Sequence, residues 1–384
     1  LHVAKKPIEI RLGWPTYRSY DAGLNPTCFS IDTELLTDEG WRRFSALTGR
    51  ELAATRNPAS GELEFQRPTA MIARRYAGPL VTYRSANVDF AVTPDHQLAV
   101  WKEHGRAATM THERLAADHL WGQTNSHAAL DLTAAWTGSD AGDYGPEKWP
   151  AILWARFLAW YLSEGSATPR GKVVVYQKHA HPLLTKVLSD TGLKWARRPM
   201  CYSTWHPRLA AVLRACGHVS TEKRIPGEVF GFTAPTIRAF LECYIAGDGS
   251  ARQRPNGSYE FRIYTASPGL ADDLQDLALR AGWFARIFRR PPSRSVIRDP
   301  DGSRRTIHGT GDWAVTIKTG ARRSWLLGKY VGRADYDGMV YCVTVPNGTL
   351  YVRRNGIAHW NGNCLHAQTT PMGHLNIIGC VVGM

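Results

Sequence analysis

The sequence predicts a multidomain chain, an all-β domain interrupted by an α/β (α+β) block that is itself a pseudo-twofold duplication. Three observations predict it. Residues 28–125 carry short apolar stretches broken by turn residues, as in LEFQRPTAMIARRYAGPLVTYRSANVDFAVT, and the same texture returns after residue 328, which is the pattern of strands joined by turns. Between residues 146 and 325 apolar residues fall at helical spacing, beginning with WPAILWARFLAWYLSEG, and helices alternate with strands. The middle block also repeats itself: FLAWYLSEGSA (157–167) and LECYIAGDGSA (241–251) each place an acid before Gly-Ser-Ala at the end of an apolar helix, so Glu164 and Asp248 lie 84 residues apart. Each copy then leads into a strand (GKVVVYQ; YEFRIYTAS) and a helix (HPLLTKVLSDTGL; GLADDLQDLALRAGW).

Bulk properties bound the function. A chain of 384 residues exceeds what one hydrophobic core usually organises. Its apolar content of 43% and charged content of 21% exclude a disordered chain. A formal charge of +14 favours a nucleic-acid partner, because clustered Lys and Arg release phosphate counterions on binding. The distribution adds to this: Arg286, Arg289, Arg290, Arg294, Arg298, Arg304 and Arg305 stand against two aspartates in a stretch with Pro and Ser, which reads as a basic loop or hairpin. The seven cysteines form no CxxC pair, so neither a zinc site nor a disulfide framework is indicated and a reducing compartment is implied. No apolar run reaches the length of a membrane span, and the expectation is a cytoplasmic monomer with no membrane partner. Leu1 and the apolar terminus LNIIGCVVGM read as fragment ends.

In chain order, the division is residues 1–27 as a flanking fragment, 28–125 as the first part of the β domain, and 124–149, rich in Gly, Ser, Thr and Asp, as a connector. The duplicated block occupies 146–325. The second part of the β domain spans 328–363, with two short strands around an Asn347–Gly348 turn. Residues 364–384 form a second flanking fragment.

Four stretches in order carry a resemblance: CFSIDTELLTDEGW at 28–41, VTPDHQLAV at 92–100, VYCVTVPNGTLYVRRNG at 340–356, and Asn363 followed directly by Cys364. Together they resemble the blocks of inteins, whose β-rich Hint fold is shared with hedgehog autoprocessing domains. A lone cysteine is most often a small buried hydrophobe and a lone TxxH a strand-end histidine; it is the company of these stretches that favours function. The resemblance implies autocatalytic protein splicing, with excision of 28–363 and ligation of Thr27 to Cys364. Cys28 would attack the carbonyl of Thr27 to form a thioester, with Thr93 orienting the scissile amide and His96 protonating its nitrogen. Cys364 would take over the acyl group, and Asn363 would cyclise to release the excised domain. No cofactor is required for splicing, and the partners are the flanking exteins in cis. Asn361 is a poorer boundary, since Gly362 after it has no nucleophile. Two departures stand out. Gly362 occupies a position commonly held by His, for which His359 is a candidate substitute. Cys342 stands where many inteins carry Asp, either as a coordinating acid or base or as packing.

The duplicated block resembles single-chain LAGLIDADG homing endonucleases. Small residues four apart, Ala159 with Ser163 and Cys243 with Gly247, make one face of each helix shallow. The resemblance implies that the packed helices bring Glu164 and Asp248 together as metal ligands and catalytic carboxylates, holding Mg²⁺ for phosphodiester hydrolysis. The partner would be double-stranded DNA across the uninterrupted host-gene site, read by strand residues such as Lys172, Gln177, Lys178, Arg262 and Lys318. The alternative is a splicing-competent intein whose LAGLIDADG domain binds DNA but no longer cleaves. Residues 1–27 joined to 364–384 resemble the opening of the nuclease domain of phage terminase large subunits, with Asp21 as a metal-binding strand residue, which implies a bacterial or phage-infected cell.

Overall fold

The structure, a computed structural model, describes residues 27–104, 109–298, 302–309 and 311–363. It is largely β-sheet with five α-helices among the described residues: α1 (Ala151–Glu164), α2 (Pro182–Asp190), α3 (Pro207–Ala215), α4 (Ala234–Asp248) and α5 (Pro268–Arg280). Asp21, Cys364 and the terminase-like segments lie outside the described residues.

In the β domain, the long strands Ala70–Arg84 and Val331–Thr344 pair along their whole length and close a small barrel with Phe29–Ser30 and Asp89–Val92. Alternation of exposed and half-buried residues from Ala70 to Pro79 gives way to burial from Leu80 onward, where the strand enters the core. The Asn347–Gly348 turn forms, with Gly348 at φ +76°. Its two flanking strands do not pair with each other, however. Val331–Thr344 belongs to the barrel, whereas Thr349–Arg354 joins Ile357–Gly362 and Glu34–Thr37 in another sheet. The hairpin is made one turn later, at Asn355 and Gly356, both at positive φ, the geometry of a two-residue turn that follows the strand twist.

The stretch expected to be a connector starts as structure: Asn125–Asp131 pairs with Gln97–His104 on one side and Arg323–Leu327 on the other. The strands that lead into and out of the middle block are therefore antiparallel neighbours, and the block leaves the β domain through a closed neck.

Inside the block the duplication is visible in the topology. The first copy runs α1, Gly165–Ala167, Lys172–Tyr176, α2, Ala196–Arg198, Cys201–Trp205; the second runs α4, Gly249–Gln253, Tyr259–Thr265, α5, Phe284–Arg290, Asp312–Lys318. In each the sheet order is first, second, fourth, third strand. The copies differ in α3, which follows the first, and in a hairpin, Ser293–Arg298 with Arg304–Gly309, inserted in the second. That hairpin is the arginine-rich segment. One core cluster, including Trp154, Trp160, Phe240 and Tyr244, fills the block, and a second, including Cys28, Phe90, Cys342 and Leu350, fills the β domain.

The two units are not separate bodies. Phe284–Arg290 pairs with Asp312–Lys318 on one edge and, at Arg286 opposite Ile357, with the last strand of the β domain on the other. A sheet thus runs unbroken from Gly249–Gln253 to Leu63–Gln66. Gly356 permits the junction: its carbonyl accepts from the Ile287 nitrogen at 2.8 Å, and the chains run so close that an added Cβ would lie 2.0 Å from Ile287 O. Arg353, nearly fully buried, ion-pairs with Glu34 in the β domain and Asp272 on α5 and hydrogen-bonds Gln275. A third cluster packs Leu279 of α5 against Tyr351 and Trp360, a burial contributing roughly 1.5–3 kcal/mol for a leucine side chain.

Candidate functional sites

The first site is built where the two ends of the β domain meet. Cys28, Thr93, His96, His359, Asn361 and Asn363 are all 0% exposed. Cys28 sits at the mouth of the barrel because Phe29 pairs with both Tyr341 and Val92. One residue beyond Val92, the Thr93 nitrogen donates to Cys28 O at 3.0 Å, and Thr93 Oγ1 accepts from the Cys28 nitrogen at 3.0 Å. The nitrogen of the Thr27–Cys28 peptide is thus held by the residue expected to orient it. The tight turn that follows, with the His96 nitrogen on Thr93 O at 3.0 Å, fixes His96 beside it, and the Phe29 ring packs edge-on to the imidazole at 4.4 Å.

Sequence reasoning passed over Asn361 except as a rejected boundary. Its Oδ1 lies 3.2 Å from His96 Nε2 and accepts from the Gly362 nitrogen at 2.8 Å. That double acceptance fixes the amide orientation and assigns the proton to Nε2 of His96. Asn361 Nδ2 then faces His359 Nε2 at 3.5 Å. The result is a chain of three side chains, His96–Asn361–His359, that links the TxxH turn to the last strand. Burial, with a lesser contribution from His96, drives the His359 imidazole down to about 3, so it is neutral at physiological pH. Nothing local to Asn361 marked it, because its partner is 265 residues away.

Asn363 closes the described chain. Its nitrogen donates to Gly348 O at 3.1 Å and its Nδ2 to Val345 O at 3.0 Å, while its Oδ1 is buried without a hydrogen-bond partner among the described residues. Before it, Gly362 is forced: an added Cβ would lie 1.8 Å from Gln97 O and 2.4 Å from Arg114 Nη1. The departure at this position is therefore steric, since no imidazole has room there. Cys342 is 1% exposed in the same core cluster as Cys28, with its Sγ 3.5 Å from Val343 O.

The second site lies at the ends of α1 and α4, which pack with their small-residue faces together. Ala159 and Cys243 are buried, and an added Cβ on Gly247 would lie 2.4 Å from Ser163 Oγ and 3.3 Å from Glu164 Cγ. This approach brings Glu164 and Asp248 into electrostatic contact: burial and then the Asp248 charge raise Glu164, while burial and then the Asp312 charge raise Asp248. Lys223 was not foreseen. Its Nζ donates to Tyr161 O, Leu162 O and Gly165 O at 2.9–3.2 Å, covering the carbonyl end of α1. Burial pulls its ammonium down to about 8 against the opposing pull of Glu164. A loop lysine flanked by Glu222 and Arg224 carries no sequence signal of its own. No group of three or more His, Cys, Asp or Glu side chains suited to a metal exists among the described residues. Two carboxylates brought together at matching helix ends nonetheless suit a hard cation that keeps several waters.

Of the expected DNA-facing residues, Lys172, Lys178 and Arg262 are exposed and Gln177 half-buried. Lys318 is differently employed: its Nζ donates to Asn87 Oδ1 at 2.7 Å, fastening the block to the β domain. No described helix is long and apolar enough to cross a membrane.

Comparisons with known proteins bear on the second site. A family model described as a LAGLIDADG-like domain matches residues 235–310, from the start of α4 through the basic hairpin. The chain is 24% identical over 399 residues to a protein of Stigeoclonium helveticum named DNA-directed RNA polymerase subunit beta C-terminal section, covering 88% of this chain and 36% of that protein. It is 22% identical over 290 residues to a protein of Chlamydomonas moewusii named ATP-dependent Clp protease proteolytic subunit, covering 68% of this chain and 28% of that one. The chain thus spans about a third of the length of these relatives. Neither is a terminase, so the terminase and bacteriophage expectation has no support in them. Among solved structures, a GSH-linked splice-inactive variant of the AceL NrdHF class 3 split intein aligns over 88% of this chain and 100% of its own, with a TM-score of 0.30 and 7% identity.

Proposed function

We propose that the β domain excises itself from the chain by protein splicing and that the LAGLIDADG-like block is a DNA endonuclease serving the same element. The observation that carries the splicing reading is the Cys28 nitrogen on Thr93 Oγ1 at 3.0 Å, on the same buried turn whose His96 Nε2 meets Asn361 Oδ1 at 3.2 Å. Chain positions more than 300 residues apart are buried together, with a nucleophile at one and a cyclisable amide at the other.

The chemistry follows from these contacts. The Cys28 thiol gives up its proton and attacks the Thr27 carbonyl, the C–N bond breaks, and the Cys28 nitrogen leaves as an amine with one proton gained. Thr93 holds that nitrogen in place, and His96 on the adjacent turn, its Nε2 proton engaged by Asn361, takes up the thiol proton on Nδ1 and passes it to that nitrogen. Cys364 accepts the acyl group by thiol exchange. Asn363 Nδ2 then attacks its own carbonyl, releasing the Cys364 amine, and an S-to-N acyl shift leaves a Thr27–Cys364 peptide. Because His96 Nε2 is bound to Asn361, the N-terminal proton donor and the C-terminal strand move together, which favours an ordered sequence of steps.

In the insert, Glu164 and Asp248 would hold Mg²⁺, which activates water and stabilises the leaving oxygen of a phosphodiester. The two acids project from matching helix ends of a duplicated fold, so each faces one strand of a two-fold-like duplex. Lys223 braces the helix end that carries Glu164. The exposed Lys172 and Arg262 supply non-specific affinity for phosphate. A domain that binds DNA without cutting is the second reading, favoured by the absence of a third carboxylate or imidazole ligand among the described residues.

Intact mass spectrometry of the chain beside a Cys28→Ala, Asn363→Ala double variant tests the first reading. Excision of 28–363 from the former alone supports it; two intact chains refute it. Cleavage with Mg²⁺ of duplex DNA spanning the uninterrupted insertion site separates nuclease from binder.

A further inference from the structure

Arg114 presents a problem that the steps above leave unsolved. It lies on the strand Thr109–Ala116, half-buried, and its Nη2 donates to Gly348 O at 2.6 Å. The same carbonyl accepts from the Asn363 nitrogen at 3.1 Å. Its Nη1 is buried and has no hydrogen-bond partner among the described residues. That nitrogen lies 2.4 Å from where a Cβ on Gly362 would stand. A charged donor buried without a partner costs stability, and Asn363 Oδ1 nearby is a buried acceptor with the same deficit.

Resting on the splicing reading, we infer that Arg114 performs at the C-terminal junction the task that a side chain on residue 362 cannot. Its guanidinium supplies the positive charge against which Asn363 cyclises. As Nδ2 leaves Val345 O and bonds to the Asn363 carbonyl carbon, the nucleophilic amide loses one proton and negative charge builds on Oδ1 and on the carbonyl oxygen. The C–N bond to Cys364 then breaks and the departing amine gains one proton, so the products are a succinimide and a free amino group with no net change in protons. A planar cation with a spare N–H beside these atoms stabilises that charge without reorganising. The placement explains three features together: the glycine at 362, the shared Gly348 carbonyl and the unmatched Nη1. It also explains why His359, tied to Asn361 and neutral, need not act as an acid.

The test uses the full chain in two backgrounds. Cys28→Ala isolates Asn363 cyclisation, read as release of the C-terminal piece; Asn363→Ala isolates the thioester, read as thiol-induced cleavage before Cys28. Arg114→Met is expected to slow C-terminal release roughly 100-fold, the size of losing one oxyanion donor, and to leave thiol cleavage unchanged. Arg114→Ala with methylguanidinium in the buffer is expected to regain C-terminal release in proportion to the added cation. Unchanged release in Arg114→Met overturns the inference, as does a parallel fall in both reactions without rescue, which marks a purely structural arginine. If the Cys28→Ala chain with Arg114 intact never releases its C-terminal piece, the splicing reading fails, and the role of Arg114 with it.

Discussion

Thr93 and Cys28 hold each other at both ends: the Thr93 nitrogen donates to Cys28 O and the Cys28 nitrogen donates to Thr93 Oγ1, each at 3.0 Å. The backbone half of this clasp survives any substitution at 93 that keeps an N–H, whereas the side-chain half requires a hydroxyl. Thr93→Val, which keeps the shape, is expected to slow thiol-induced cleavage at Cys28 up to about tenfold, the kinetic equivalent of one neutral hydrogen bond. Thr93→Ser should stay close to the unmodified chain. Quenched time courses read by intact mass check both.

Installing the residue that inteins commonly carry before the terminal Asn should harm this chain. Gly362→His must displace Gln97 O and Arg114 Nη1, which an added Cβ meets at 1.8 and 2.4 Å. C-terminal cleavage is expected to fall, and the fold to weaken by about 1–3 kcal/mol from overpacking. Faster cleavage in this variant would contradict the steric account.

The neutral His359 imprints an acid limb on stability. Its folded value, about 3, lies below the ordinary imidazole value of 6.5, so between those limits the unfolded chain binds more protons than the folded one. Stability therefore rises with pH across this window and falls on acidification, by up to about 1.4 kcal/mol per pH unit from this group. His359→Gln should flatten the slope between pH 6 and about 4 in urea titrations.

Asp248 acts in the opposite sense. Burial and Asp312 raise its carboxyl above the ordinary range, so the folded state holds its proton longer and stability is lost as pH rises through that window. In EDTA at neutral pH, Asp248→Asn is expected to melt above the unmodified chain, and the two should converge in acid. Added Mg²⁺ should raise the melting temperature of the unmodified chain alone, and the variant should bind DNA without cutting it. Calorimetry and a nicking assay read these outcomes.

Gly247 sets the distance between α1 and α4. Gly247→Ala places a methyl 2.4 Å from Ser163 Oγ and 3.0 Å from its Cβ, which should cost about 1–3 kcal/mol and depress DNA cleavage by parting the carboxylates. Adding Ser163→Ala is expected to recover part of the stability, because the nearest clash is with the hydroxyl; urea melts of the single and double variants check the coupling.

What the sequence made legible was whatever recurs locally or sits in a contiguous motif. The doubled acid before Gly-Ser-Ala located both helix ends, the small residues four apart located their contact, and TPDH after Cys28 located the hydroxyl that holds the Cys28 nitrogen. Asn361 and Arg114 escaped because their meaning depends on strands that meet only when the chain folds. Lys223 escaped because a lysine between Glu222 and Arg224 reads as part of a solvated charge run. Lys318 has a use that its position on a strand did not announce: half-buried, its Nζ donates to Asn87 Oδ1 across the junction. The stretch 124–149 read as a connector from its composition, yet its first residues form an inner strand with a partner on each side. Composition reports a segment's own preferences and is silent about an unsatisfied neighbour.

The sheet that passes through Arg286 and Ile357 has a bearing on descent. An insert attached only by its neck could be trimmed away and leave its host domain whole. Here, deletion strips a partner from Ile357–Gly362, the strand that delivers Asn361 and Asn363, and strands Arg353 without Asp272 and Gln275. A chain without the block would therefore have to find new partners for the strand that carries Asn361 and for Arg353 beside it.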